Sequence, residues 1–524
     1  MTVPAPDDTL RRPPLHAGTG AAPSPAATDG APGGATTGDQ TAHDDATQPR
    51  GAAAAPGSVL VLGAGLAGAR TVAQLRAHGF GGRVTIVGDE PIAPYDRPPL
   101  SKHLLDRPSP VWLADDLDIR LSELADDVRL GVGAVGLDVL DDAAHAAGGS
   151  PGYRATLAGG EHVDADAVVL ATGSRPVVPP GWDAALTLHS ADDAERLRAR
   201  LAAARADADR TGRAPRVLCV GAGWIGAELS GVLAASGVDV TVVEAARTPL
   251  ASALGHRAGA LTAHWYDEHE HLRLETGALV AAVRADGVDL ADGRTLEADA
   301  VVVAIGARPA TAWLGGSLAG RVALLGDGSV RVDEEHVPIA DDGTRIPGLE
   351  RVRVVGDVAR RRSARHGWVP GGHWGAALTG PETAVRSLLG LPGDVPDPAP
   401  YVFSTQHGHE LSMFGVPAPG DDVVVRAPEP PGADGWTVLW FAQPGTTHPR
   451  GSQDDGGRAD GGQDDHGRAG RGPGRVLTAV LTVDRPRDVG AARRLFAGPT
   501  LPVLDPQVAR DASVRLQAAV VTAR

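Results

Sequence analysis

Lys102 is the one lysine in a chain of 524 residues whose other 48 basic side chains are all arginine. An ammonium is a compact point charge and a guanidinium a planar fork, so a lysine kept against that bias points to a site contact where a fork does not fit. It closes the run Pro94-Tyr95-Asp96-Arg97-Pro98-Pro99-Leu100-Ser101-Lys102. Two glycine triplets lie on either side of it in the chain. Gly63, Gly65 and Gly68 follow the apolar run 59–62, and Gly221, Gly223 and Gly226 follow the run 217–220. In a strand–turn–helix unit the first glycine makes the tight turn and the second lets backbone approach a pyrophosphate. The third allows close helix–strand packing, and the helix N-terminus faces the phosphates. One triplet is weak evidence. Two complete units 158 residues apart imply two dinucleotide cradles. Leu66 and Ala67 belong to the first loop, Trp224 and Ile225 to the second. Trp224 reads equally as a gating aromatic or as a packed side chain.

Each unit's second strand ends at acids. Gly88-Asp89-Glu90 places a carboxylate 20–26 residues after the first glycines, where an adenosine ribose is normally held. Asp89 fits, with Glu90 its neighbour. Glu244 ends the corresponding strand of the second unit, and a carboxylate there accepts from a 2′-hydroxyl and repels a 2′-phosphate, which favours NADH over NADPH. Arg247, three residues on, softens that preference.

The elements that position these residues recur in pairs. The buried-strand pattern 168–170 runs into Ala171-Thr172-Gly173 and then Arg175-Pro176; the pattern 301–305 runs into Gly306 and then Arg308-Pro309. A further strand, 352–355, leads into Gly356-Asp357. The chain therefore leaves a first nucleotide domain (58–178), builds a second (179–307), and returns to the first (308–392). Residues 393–524 change to short strands and turns, with 436–441 and 475–483 as hairpin partners. A Gly/Asp/Gln/Arg tract at 443–474 reads as a disordered insertion, and residues 1–57, poor in large apolar side chains, as a disordered extension.

Composition excludes several classes. A formal charge of −16 argues against general nucleic-acid binding. No apolar run approaches a membrane helix, and Arg11-Arg12 is followed by prolines rather than an apolar segment, so a cytoplasmic protein is expected. The single cysteine, Cys219, rules out an internal disulfide or a redox thiol pair. No metal site is expected. Arg351, Arg353, Arg360, Arg361, Arg362 and Arg365, crowded around Gly356-Asp357, read as either a solvated charge run or a basic landing patch for an acidic protein.

The run Asp89 to Lys102, both glycine loops, Ala171-Thr172-Gly173, Gly356-Asp357, the 406–415 region and Val483-Asp484-Arg485-Pro486-Arg487-Asp488 occur in an order that resembles the FAD-dependent ferredoxin reductases of bacterial oxygenase systems. Putidaredoxin and rubredoxin reductases belong there, and apoptosis-inducing factor is a relative. The resemblance spans about 58 to 510. It implies an α/β fold of two Rossmann-like, glutathione-reductase-like domains and a C-terminal α+β domain. It also implies FAD and NADH as cofactors, and hydride passing from NADH to FAD before single electrons go to an acidic ferredoxin or rubredoxin-type acceptor. On this likeness the first loop, Ala171, Thr172, Gly173 and Arg175 would hold FAD, with Asp89 on the ribose and Val135 beside the adenine. Asp357 would hold the ribityl chain, Trp374 would pack on the flavin, and Arg97 and Lys102 would stand at its ring. Glu228 would be the acidic partner of Lys102. The chain departs from the family at Phe403 and Thr405, within Phe403-Ser404-Thr405-Gln406 where Trp-Ser-Asp-Gln is usual, and at His189 where arginine is usual. A redox-switch flavoprotein with a slow NADH reaction is the alternative reading.

Overall fold

The computed structural model describes residues 55–140, 152–314, 318, 320–322, 324–427, 435–443 and 474–521. The expected disordered extension 1–57 and loop 443–474 fall, apart from their edge residues, outside the described residues.

Uninterrupted apolar runs become central parallel strands, because both faces of such strands are covered. β1 (Ser58–Leu62) is buried along its last four residues and feeds α1 (Leu66–Ala77), which returns to β2 (Arg83–Gly88). The chain then forms the short helix α2 (Pro99–Lys102) and the strands β3 (Asp127–Leu130), β4 (Ala167–Leu170) and β5 (Ser174–Pro176). A capping box of Ser190 and Asp193 starts α3 (Ala191–Thr211), which stops on left-handed Gly212. The second unit repeats the first with β6 (Arg216–Val220), α4 (Trp224–Ala235) and β7 (Asp239–Glu244). It continues through β8 (Leu272–Thr276), β9 (Ala300–Val303) and β10 (Ala307–Pro309). β11 (Val352–Val354) then rejoins the first sheet, whose order is β11-β4-β1-β2-β3, every pair parallel. The second sheet runs β8-β7-β6-β9, also parallel. The outward and return crossings pair with each other: β5 and β10 form an antiparallel ribbon with Arg175 opposite Arg308.

α5 (Trp374–Leu388) lies beside α1 and buries Ala384, Val385 and Leu388 on the first sheet. The C-terminal strands β12 (Tyr401–Gln406), β13 (His409–Gly415), β14 (Asp422–Arg426), β15 (Trp436–Phe441) and β16 (Arg475–Val483) make an antiparallel sheet in the order β12-β13-β16-β15-β14. The expected pairing of β15 with β16 is present. Helix α6 (Pro486–Leu495) covers one face through Ala491 and Ala492. Leu250, Leu254 and Trp265 of the second unit cover the other, against Leu411, Met413 and Trp440.

The arginines around Gly356-Asp357 do not form a landing patch. Burial alternates along the strand Ala359–Ser363, so Arg361 points inward and bonds Asp397 at 2.8 Å, while Arg362 forks onto Glu334 at 2.8 and 2.9 Å. Buried Arg365 donates to the Phe496 and Gly498 carbonyls, and buried Arg353 to those of Glu350 and Val352. Arg360 pairs with Asp327 at 3.1 Å. These side chains tie the first unit together and join it to the C-terminal domain.

Five histidines sit in surroundings that hold them neutral. Burial, with arginines nearby, lowers His189, His366 and His373 to about 4 and His336 to about 3; burial, with His269 and His409 nearby, lowers His407 to about 4. An unfolded histidine titrates near ~6.5. Between that value and 4 the unfolded chain binds protons that the folded chain refuses, so stability is full above pH 6.5 and falls as pH drops. Thermal unfolding at pH 7.5, 6 and 5 should show a progressively falling midpoint; a midpoint flat across that range would contradict these environments.

Candidate active site

Both glycine loops open on one cavity of about 1200 Å³. Gly63 turns with φ 111°, and a Cβ there would lie 2.2 Å from the Ala171 carbonyl. A Cβ on Gly68 would lie 1.8 Å from the Gly63 carbonyl, and one on Gly226 would lie 2.0 Å from that of Gly221. A Cβ on Gly65 would meet nothing within 4 Å, because that position faces open space. α1 and α4 each start on a glycine with no side-chain cap, so their first backbone N–H groups are left for a ligand. Gly63, Gly65, Leu66 and Ala67 line the cavity on one side, and Gly221, Gly223, Trp224 and Ile225 on the other. Ala171, Thr172, Gly173 and Gly306, at the ends of the central strands, complete its floor.

At the junction stands Lys102. Its ammonium bonds Glu228, which is 3% exposed on α4. The same carboxylate accepts from Ser101 Oγ and, at 2.5 Å, from Ser404 Oγ of β12; Gln406 Nε2 donates to Ser404 Oγ at 3.0 Å. The ammonium also lies 5.4 Å from the centre of the Phe403 ring. Phe403 in turn meets Trp374 edge-on at 6.1 Å, and Trp374 Nε1 donates to Asp96 at 2.8 Å. One lysine of the first unit is thus held by side chains from the second unit and the C-terminal sheet.

Around the rest of the cavity the charged groups are paired. Arg97 donates to Glu90 at 2.5 Å and to the His189 carbonyl at 2.5 Å, while Tyr95 Oη donates to Glu90 at 2.6 Å and accepts from Ala191 N at 2.8 Å. Burial opposes the Arg97 charge, but Tyr95, Glu90 and Asp357 outweigh it and raise the pKa. Asp357 accepts from Ser174 Oγ at 2.8 Å and from Gly372 N at 3.1 Å. Asp89 pairs with Arg175, which lies outside the cavity wall. Glu244 accepts from Ala222 N and Ala246 N, both at 2.7 Å, and so pins its own glycine loop. Trp224 both lines the cavity and packs against the core under the C-terminal sheet. Val135 stands apart, 53% exposed on the strand Ala134–Val139. Among the described residues no group of three or more His, Cys, Asp or Glu is placed to hold a metal.

Ser101, Tyr95, Ser404 and Gln406 were missed as site residues. Ser404 and Gln406 carried a signal: positions i and i+2 of a strand share a face, and both are polar in an otherwise apolar core.

The sequence pattern of the pyridine nucleotide-disulphide oxidoreductases matches residues 57–379. The chain belongs to that family. This oxidoreductase is 30% identical over 493 residues to rhodocoxin reductase of Rhodococcus erythropolis, covering 88% of the chain and 94% of that protein. It is also 30% identical over 382 residues to the ferredoxin--NAD(+) reductase component of the biphenyl dioxygenase system of Paraburkholderia xenovorans, covering 70% and 83%. Among solved structures it is similar to Fdr9, with 32% identity, a TM-score of 0.68, and coverage of 88% and 99%. The putidaredoxin reductase–putidaredoxin complex shares its fold, with a TM-score of 0.67 at 23% identity over 88% and 98%. FAD and NADH are the cofactors of this oxidoreductase, and the two uncapped helix ends and the open Gly65 position fit two such pyrophosphates. The disulphide chemistry in the family's description has no counterpart here. Cys219, the single thiol, is buried in β6 and raised to about 12 by burial and by Glu244.

Three outcomes follow from this geometry. Glu244 should make NADH better than NADPH by about tenfold or more in kcat/KM, ~1.4 kcal/mol, and equal use of both would remove its assigned role. Lys102→Ala leaves the Glu228 charge buried without its cation, a stability loss of ~3–5 kcal/mol in such pairs; it also removes the fixed positive charge from the cavity, so NADH oxidation should slow by about 30-fold or more. Lys102→Arg keeps the charge but places a fork between Glu228 and Phe403, and most activity should be lost while FAD is retained. Wild-type turnover in the arginine variant would mean that charge alone matters at this position.

Proposed function

We propose that this oxidoreductase is the reductase component of an oxygenase system, working in the cytoplasm and passing electrons from NADH to an acidic ferredoxin or rubredoxin-type protein. The observation that carries the reading is the Lys102–Glu228 junction: a fixed cation between two nucleotide cradles, with no thiol in the cavity to divert the electrons. FAD, when bound, supplies the conversion of a hydride pair into single electrons. The chain's own residues do the rest. The first cradle and Asp357 orient the flavin, and the second cradle and Glu244 orient the nicotinamide nucleotide. Lys102 presents positive charge where reduction adds negative charge, and that is the main electronic lever a protein has over a flavin. Phe403 and Trp374, from the C-terminal sheet and α5, close the side where β12 reaches the cavity. The names of the relatives, reductases for rhodocoxin and for dioxygenase ferredoxins, support an iron–sulfur acceptor.

The test is reduction of a panel of ferredoxins and rubredoxins from the source genome, with ferricyanide as a small reference acceptor. One member should be reduced far faster than the others at the same NADH concentration, while ferricyanide reduction reports the NADH half of the reaction alone. Active ferricyanide reduction with no protein acceptor served would overturn the assignment.

A further inference from the structure

Hydride carries two electrons and one proton, whereas a ferredoxin-type acceptor takes electrons alone. On the function proposed above, NADH and two oxidised acceptors give NAD⁺, two reduced acceptors and one H⁺. That proton starts in the cavity and has to reach solvent.

A buried polar seam leads away from Glu228. Ser404 bonds the carboxylate and Gln406 bonds Ser404, both on the inner face of β12. His407 comes next, 8% exposed. It rests on α4 at Gly231, one turn beyond Glu228: a Cβ on Gly231 would stand 3.2 Å from His407 Nδ1. Beyond His407 lie the rings of Tyr266 at 4.4 Å and of half-buried His269 at 5.6 Å. Tyr266 Oη, His269 Nε2 and both His407 nitrogens are buried and lack a hydrogen-bond partner among the described residues. Four such atoms in one place call for an explanation, because buried polar groups are almost always satisfied by protein or by ordered water. The backbone adds a second sign. His407 (φ 51°) and Gly408 (φ 87°) form the two-residue turn between paired Gln406 and His409, a turn that prefers asparagine, aspartate or glycine. An imidazole there gives up local turn preference for its ring.

We propose that the proton released in each NADH oxidation leaves from Glu228 through the Ser404 hydroxyl to His407 and His269, with His407 as its relay and Gln406, whose amide nitrogen only donates, orienting Ser404. A neutral imidazole takes a proton on one nitrogen and releases it from the other, and ordered water joins the unpartnered atoms. Burial keeps His407 neutral at pH 7, so the ring passes a proton on without storing it. The titratable groups facing it are Tyr266 and His269, at and just after the 3-10 helix Ala260–Glu268, and His409 across the turn, itself held by Asp484 and Glu268.

His407→Asn tests this, since asparagine suits the turn and thermal stability should be at or above wild type. Gln406→Met, nearly constant in volume, is the second variant. With NADH, ferricyanide and a pH-indicator dye in stopped flow, electrons and proton are followed separately. Wild type should release its proton in step with electron transfer. In each variant the proton should lag by about tenfold or more, with a larger solvent deuterium effect. In the wild-type holoprotein, the His407 NMR signal should move when the flavin is reduced by dithionite in the absence of NADH. Proton and electrons staying in step in both variants, or a His407 signal indifferent to reduction, would overturn the relay. Ferricyanide keeps the result independent of the protein acceptor: an error in the ferredoxin assignment would show only in the ferredoxin assay.

Discussion

The carboxylate of Glu228 is the constraint on which the site rests. A charge 3% exposed is costly unless its pairing is complete. Completing it takes Lys102 and Ser101 from the first nucleotide unit and Ser404 from the C-terminal sheet, while Glu228 itself sits on the helix that begins at the second glycine loop. Three parts of the chain, far apart in sequence, must therefore be docked before that charge is satisfied. The requirement also sets the cation in place. Glu228 takes one of the three ammonium donors and Phe403 covers another direction, which leaves the cavity for what remains.

The two nucleotide units are copies in topology but not in electrostatics. Glu244 spends its carboxylate on backbone N–H groups of its own loop and so rigidifies the cradle it belongs to. Asp89 reaches outward to Arg175 on the ribbon that carries the chain between the units. Its neighbour Glu90 joins Arg97 and Tyr95 in holding the His189–Ala191 crossing. Through Arg97 and Tyr95, Glu90 thus helps hold the orientation of one unit against the other, a task that Glu244 does not share.

The parts of the site that were readable in the sequence are those whose physics is local. A glycine turn, the buried strand before it and the helix after it are neighbours in the chain, so both cradles and their strands lie where the triplets place them. Lys102 stood out through composition, and its meeting with Glu228 is a long-range contact that the resemblance implied. The arginines after Gly356 were misread because their partners are remote: Asp397, Glu334, and the carbonyls at 496 and 498 come from other elements. Alternation along 359–363 was a local sign of inward-pointing side chains, hidden by the sameness of three consecutive arginines. Ser404 and Gln406 were quoted only as part of a motif, because nothing in a strand of six residues says which charge its hydroxyl will meet.

The C-terminal sheet explains why this architecture needs a third domain. Two cradles facing one cavity would leave the Lys102–Glu228 pair open to water, where an ion pair is weak and mobile. β12 closes that side with Phe403 and Ser404, one apolar and one hydrogen-bonding, and its sheet is held against the second unit by Trp265, Leu250 and Met413. Phe403 sets a π-face beside the ammonium and brings no indole N–H that would need its own partner. Neighbouring positions of β12 thus divide the work: Ser404 completes the pairing of Glu228, and Phe403 sets the surface that the strand shows to the cavity.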